Sequence, residues 1–163
     1  SYHAALEHAC ASLLVKDVSR AFMSQITRHR HLSFTCTSQH YQDYQDFPLI
    51  HEGYILVKNT CTASVQAYED ALIGGMEKWE ARQMLPNAMG VNMVITANAT
   101  AWAHVLRMRQ CLRNVPEMHI FAHQAKWVLK EWFPALFELV QEPCHDGYLN
   151  GCREPQPCNA KVK

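Results

Sequence analysis

The chain has 163 residues, 48% of them hydrophobic and 18% charged, with Lys+Arg and Asp+Glu both at 15. That size and composition suit one domain with a real core, and the lack of a basic excess argues against a general nucleic-acid binder. No apolar run reaches the roughly 18–20 residues that span a bilayer, and no secretory leader is recognisable, so the expectation is a cytoplasmic protein with no membrane partner.

In chain order, "LEHACASLLVKD" (6–17) reads as a strand. Asp17 is then placed to cap a helix beginning at Val18, with Val18, Phe22 and Ile26 on one face and its end near Thr27. The next stretch, "RHRHLSFTCTSQHY" (28–41), has no helical period and is expected to be an extended loop. Pro48 excludes a regular helix around it. The longest helical pattern covers 62–85, with Val65, Tyr68, Leu72 and Met76 as its stripe and Gly74 and Gly75 weakening its middle. "VNMVITAN" (91–98) is β-rich. Asn98 suits the N-cap of a helix over 99–112, and Pro116 the first turn of a helix over 116–132. A short helix follows over 133–140. After Glu142 the chain turns rich in Pro, Gly, Asn and charge, so residues 143–163 are expected to be an extended or disordered tail behind a domain spanning 1–142. The sum is a mixed α+β domain dominated by helices.

The cysteines are Cys10, Cys36, Cys61, Cys111, Cys144, Cys152 and Cys158, an odd number with no CxxC pair. Reduced thiols are the simplest reading. Cys144, Cys152 and Cys158 with His145 fit no common zinc spacing. His119 and His123 form an HxxxH pair that can bind zinc on one helix face. There is no HExxH and no obvious third ligand, so the expectation is no metal. The four tryptophans fall on helical patterns, where core or subunit contact is the default.

Chemistry concentrates in 28–41. Arg28 and Arg30 are two apart and project to one side of an extended chain. Two guanidiniums on one side repel unless an anion sits beside them, and the planar fork of Arg suits phosphate. Ser33, Thr35, Thr37 and Ser38 add uncharged donors. The competing reading is a solvated basic loop. Arg82 precedes Pro86, and Asn98 opens a helix whose N-terminus suits a polar or anionic ligand. Arg107 and Arg109 lie near that helix's end, where the dipole alone favours cations.

"RHRHLSFTCTSQHY" resembles the signature RHRxxSxxxxSxRY of the flavin-dependent thymidylate synthases, the ThyX family, with Arg28, His29, Arg30, Ser33, Ser38 and Tyr41 matching. The segment leading into it, "ARQMLP", Asn98 and Arg109 follow the family's order, so the resemblance covers residues 3 to about 140. It implies an α+β ThyX-like fold, helix-rich with a small central sheet. It also implies an FAD-containing homotetramer with active sites shared between subunits. The implied reaction is methylation of C5 of a uracil nucleotide, with methylenetetrahydrofolate giving the carbon, reduced FAD the hydride and NADPH the reducing power. No enzyme nucleophile is required, so catalysis is positioning and electrostatics. By the resemblance, His3, Arg28, His29, Arg30, His31 and Asn98 line the flavin, and His104 falls on the flavin or folate side. Gln25, Cys36, Ser38, Gln39, His40, Arg82 and Arg109 lie on the nucleotide side. Arg109, Arg28 and Ser38 are the catalytic candidates, with Arg82 suited to the phosphate and Arg109 to the uracil edge.

Several departures accompany the match. The arginine before the motif's tyrosine is His40, the residue between the serines is Cys36, and the arginine two after Asn98 is Thr100. The chain also starts late against the family, as a trimmed or shortened member would. The changes cluster on the nucleotide side. A smaller residue at 36 can admit a 2′-hydroxyl, which makes UMP the expected substrate slightly ahead of dUMP, with dCMP also possible. A ThyX-like UMP methylase of polyoxin-type nucleoside antibiotic biosynthesis is the corresponding subtype. The alternatives are ordinary dTMP synthesis from dUMP and a non-catalytic relative that binds nucleotide or flavin.

Overall fold

The computed structural model contains a three-stranded antiparallel sheet, ordered β1-β3-β2. The structure describes residues 3–42, 47–51, 53–142 and 144. The tail expected over 143–163 therefore lies outside the described residues, Cys144 apart. The strands are β1 (Cys10–Ser19), β2 (Ser33–Cys36) and β3 (Gly90–Asn98). The helices are α1 (Arg20–Ile26), α2 (Ile55–Ile73), α3 (Lys78–Ala81), α4 (Ala99–Arg109), α5 (Pro116–Trp132) and α6 (Pro134–Phe137). A 3₁₀ turn over His3–Glu7 precedes β1. The helix-rich α+β class with a small sheet agrees with the sequence. On the middle strand β3, Val91, Met93, Ile95 and Ala97 are buried while Asn92, Val94, Thr96 and Asn98 are half-buried, the two-residue alternation of a strand.

The chain forms two compact units. One holds the described residues of 1–13, 31–33 and 96–163, and the other 14–30 and 34–95. In the first, α4 buries Ala99, Trp102, Ala103, Val105 and Leu106, and α5 buries Met118, Phe121, Ala122, Ala125 and Leu129, a three-and-four spacing that packs the helices together. Trp102 is fully buried and its Nε1–H donates to the Ala11 carbonyl at 3.1 Å, so its polar atom is satisfied inside the core.

In the second unit the sequence reading needs three corrections. Asp17 does not cap a helix. Its backbone is left-handed (φ 54) and its N–H donates to Asn92 Oδ1 at 2.9 Å, which keeps the chain in β1. Ser19 takes the cap instead, extended at φ −71 and ψ 157, with its Oγ accepting from the Phe22 N–H at 2.9 Å. The helix expected over 62–85 begins at Ile55 and stops at Ile73. Gly75 (φ 86) and two capping bonds, Gly75 N to Leu72 O at 3.0 Å and Met76 N to Ala71 O at 2.9 Å, make a Schellman stop that only a residue free to turn left-handed accommodates cheaply. Finally, the loop expected over 28–41 contains β2, too short to show a period.

Candidate functional site

The second unit carries most of the nucleotide-side candidates. Phe22 and Ile26 bury one face of α1, and Gln25 beside them is half-buried. The helix closes at Thr27, whose N–H and hydroxyl both donate to the Met23 carbonyl, at 3.1 and 2.8 Å. Two further backbone bonds, Arg28 N to Gln25 O at 3.4 Å and His29 N to Ile26 O at 3.1 Å, tighten the exit. Arg28, His29 and Arg30 thus follow the helix on a short turn, with both arginines exposed. Neither arginine has an ion pair among the described residues. No Asp or Glu occurs between Asp17 and Asp43. Two exposed guanidiniums in a stretch with no acid in the sequence suit an anionic ligand.

Beyond β2, Thr37 is clamped to β3: its N–H donates to the Asn92 carbonyl at 2.9 Å, and its Oγ1 accepts from the Asn92 N–H at 3.2 Å. Ser38 then builds a turn. Its Oγ accepts from the His40 N–H at 3.2 Å, and its carbonyl accepts from Tyr41 and Gln42 at 3.2 and 3.1 Å. Gln39 is half-buried and His40 exposed, with its ring edge-on to Tyr41 at 4.7 Å. Burial pushes the half-buried Cys36 thiol up, and the charge of Arg20 opposes that shift. The thiol is the stable form at neutral pH, which makes Cys36 a poor nucleophile. Arg82 is exposed, and its Nε donates to the Trp79 carbonyl at 3.1 Å, which fixes the stem of the guanidinium.

The first unit carries the rest. Asn98 caps α4, its Oδ1 accepting from the Ala101 N–H at 2.8 Å, as the sequence indicated. That leaves its amide group as a donor beside the helix N-terminus. His104 is exposed on α4. Arg109 is half-buried at the helix end, and burial lowers its pKa, though a guanidinium stays cationic at neutral pH. Its Nη1 donates to Asn114 Oδ1 at 3.0 Å. The Asn114 Nδ2 in turn lies within 3.0–3.3 Å of the carbonyls of Met108, Arg109 and Cys111. Asn114 therefore orients Arg109. His31, also in this unit, is left-handed at φ 66. His3 lies in the first 3₁₀ turn, and its side chain is outside the described residues.

So Gln25, Arg28, His29, Arg30, Cys36, Ser38, Gln39, His40 and Arg82 belong to one compact unit, and His31, Asn98, His104 and Arg109 to the other. The sequence reading missed Arg20, Asn92 and Asn114. Arg20, at the first position of α1, bears on the site only through its charge, which opposes the upward shift of the Cys36 thiol. His119 and His123 pack edge-on at 4.4 Å, and burial and His119 push His123 down. Among the described residues no group of three His, Cys, Asp or Glu is placed to hold a metal ion. No described helix is long and apolar enough to cross a membrane.

The family described as thymidylate synthase complementing protein matches residues 1–135. A flavin-dependent thymidylate synthase of Haloarcula marismortui is 29% identical over 170 residues, covering 83% of this chain and 69% of that protein. One from Corynebacterium aurimucosum is 31% identical over 160 residues, covering 84% of this chain and 64% of that protein. The chain thus spans about two thirds of the length of these relatives. A Helicobacter pylori ThyX solved with FAD and dUMP aligns with TM-score 0.73 at 18% identity, over 82% of this chain and 73% of that one. A second crystal structure from the same organism, also with FAD and dUMP, gives 0.75 over 84% and 75%.

Proposed function

This chain belongs to the thymidylate synthase complementing protein family, and we propose that it is a flavin-dependent methyltransferase acting on C5 of a uracil nucleotide. The observation that carries this reading is the acid-free run of donors from Arg20 to His40, with Arg28 and Arg30 exposed and without ion pairs among the described residues. FAD, when bound, supplies the hydride, while methylenetetrahydrofolate supplies the carbon and NADPH reduces the flavin. The curated relatives bear the flavin in their names, and the similar solved structures were determined with FAD and dUMP. Each unit fits part of such a group: in one, Arg28, His29 and Arg30 would suit its pyrophosphate, and in the other, His31, Asn98 and His104 would suit its polar atoms beside the α4 N-terminus.

The chain's own residues position and polarise. Gln25, Ser38, Gln39 and Arg82 hold the nucleotide, with Arg82 on the phosphate. In the other unit Arg109, anchored by Asn114, carries a fixed positive charge of the kind that would stabilise negative charge developing on a uracil ring. In this reading residues 1–142 form the catalytic domain, and a homotetramer in the cytoplasm completes each active site from several subunits.

dUMP is the nucleotide found with the similar solved structures. UMP is the second reading, favoured by the small protonated thiol at Cys36 and by an imidazole at His40 in place of the family's arginine. It carries the antibiotic-biosynthesis subtype with it. Tritium release from C5-labelled dUMP and UMP, with folate and NADPH, separates the two. Release from neither, with nucleotide still bound, identifies a non-catalytic relative. A purified protein that holds no flavin and takes none up refutes the whole reading. If position 40 sets the choice, His40→Arg shifts the UMP:dUMP ratio toward dUMP by about tenfold or more, the scale of one charge-assisted hydrogen bond.

A further inference from the structure

We propose that Asn92, on the middle strand β3, is a positioning residue that sets the nucleotide-side turn over 37–40 and the entry to α1 from one point. The inference rests on the proposed nucleotide reading. Three bonds converge on this residue. Its Oδ1 accepts from the Asp17 N–H at 2.9 Å, its carbonyl accepts from the Thr37 N–H at 2.9 Å, and its N–H donates to Thr37 Oγ1 at 3.2 Å. Each is an ordinary hydrogen bond in length, but all three join segments far apart in sequence.

On one side, the bond to Asp17 holds a left-handed, non-glycine backbone inside β1. Such a conformation persists only where its surroundings over-determine it, and Asp is among the few side chains that tolerate it. Two residues later the Ser19 cap starts α1, and the Arg20 and Ala21 N–H groups donate to the Met89 and Asn87 carbonyls at 3.0 and 3.1 Å. This fixes where Gln25 and Arg28 stand. On the other side, Thr37 immediately precedes Ser38, whose hydroxyl and carbonyl organise the turn that presents Gln39 and His40. Asn92 thus ties together the two segments that supply most nucleotide-side groups, without itself belonging to either. Because the segments are joined at one residue, loosening either clamp leaves the turn in its binding-competent arrangement for a smaller share of the time. Apparent nucleotide affinity falls by that share.

The test compares Asn92→Ala, Thr37→Val and Thr37→Ser in the FAD-loaded enzyme. Nucleotide Kd is measured by calorimetry for dUMP and UMP separately, alongside KM and kcat for nucleotide and folate, flavin content and Tm. Asn92→Ala and Thr37→Val should each raise nucleotide Kd and KM about five- to tenfold, the effect of one lost hydrogen bond. kcat at saturation, folate KM and flavin content should stay within about twofold, and Thr37→Ser, which keeps the hydroxyl, should restore the wild-type Kd. Nucleotide Kd unchanged in Asn92→Ala or in Thr37→Val, or a rise in folate KM or a fall in kcat or flavin content by more than about twofold alongside it, would overturn the assignment. If Asn92→Ala does not fold, the Thr37 pair decides alone. Wild-type protein that binds neither nucleotide overturns the reading of the site, and this inference with it. Wild-type binding with unaltered binding in the variants overturns only this inference.

Discussion

Ser19→Ala tests how much of the site depends on one cap. Ser19 is buried, at 3% exposure, and its Oγ accepts from the Phe22 N–H at 2.9 Å. Loss of an N-cap hydroxyl costs about 0.5–2 kcal/mol, and burial puts this case at the upper end because water cannot replace the lost acceptor. α1 has only seven residues, well below the length at which a helix is stable alone, so it has little propensity to absorb the loss. The expected destabilisation is about 2 kcal/mol, which corresponds to roughly 4–8 °C in Tm for a chain of this size. Urea unfolding followed by far-UV circular dichroism measures it, with a lower midpoint and an unchanged slope. Ser19→Thr keeps the hydroxyl and should recover most of the loss. Because α1 carries Gln25 and leads into Arg28, Ser19→Ala should also raise nucleotide KM. A Ser19→Ala protein within about 0.5 kcal/mol of wild type, or a threonine variant equally unstable, would refute the assigned cap.

Trp102→Phe removes the Nε1–H that satisfies the Ala11 carbonyl and leaves a small void in a fully buried place, so it should cost about 2–3 kcal/mol in the same urea assay. His31→Gly should be neutral or slightly stabilising because its φ is 66, whereas His31→Ile should lose about 1–2 kcal/mol and flavin content together. The lowered pKa of His123 has a definite sign: the unfolded chain binds its proton more tightly. Stability should therefore be full above the unfolded value of about 6.5 and decline as pH falls below it toward the lower folded pKa. Under this reading, His123→Gln flattens that acid-side decline in unfolding midpoints taken from pH 8 to 5.

Much of the fold was legible where one local cause acts. The β-rich composition of "VNMVITAN" gives β3, Asn98 caps α4 and Pro116 opens α5, each through chemistry confined to a few residues. The failures have long-range causes. Asp17 and Ser19 are both good capping residues, and nothing nearby chooses between them. The choice is made by the side chain of Asn92, 75 positions away, which draws Asp17 into a left-handed strand position. Gly74-Gly75 was ambiguous for a different reason: a glycine pair weakens a helix or ends it, and only the bonds from Gly75 and Met76 back to Leu72 and Ala71 make it an ending. The site shows the same division. Its arginines and serines stand out as residue types, but Asn114 and Asn92, which aim them, look like ordinary surface asparagines in the sequence.

That division bears on where the chain departs from its family's signature. Cys36 and His40 lie on either side of Thr37 and Ser38, whose backbone is fixed by Asn92 and by the turn at Ser38. A side chain can change at 36 or 40 while these bonds hold the main chain in place. In the proposed reading such substitutions alter what the nucleotide meets without moving Ser38 or Gln39. The clamp and the specificity letters are therefore separable: Cys36→Gln and His40→Arg should change which nucleotide is taken and leave Tm nearly unmoved. Thr37→Val should instead weaken both nucleotides alike. A common loss of dUMP and UMP affinity in Cys36→Gln would show that position 36 acts on the backbone of the turn and not on the sugar.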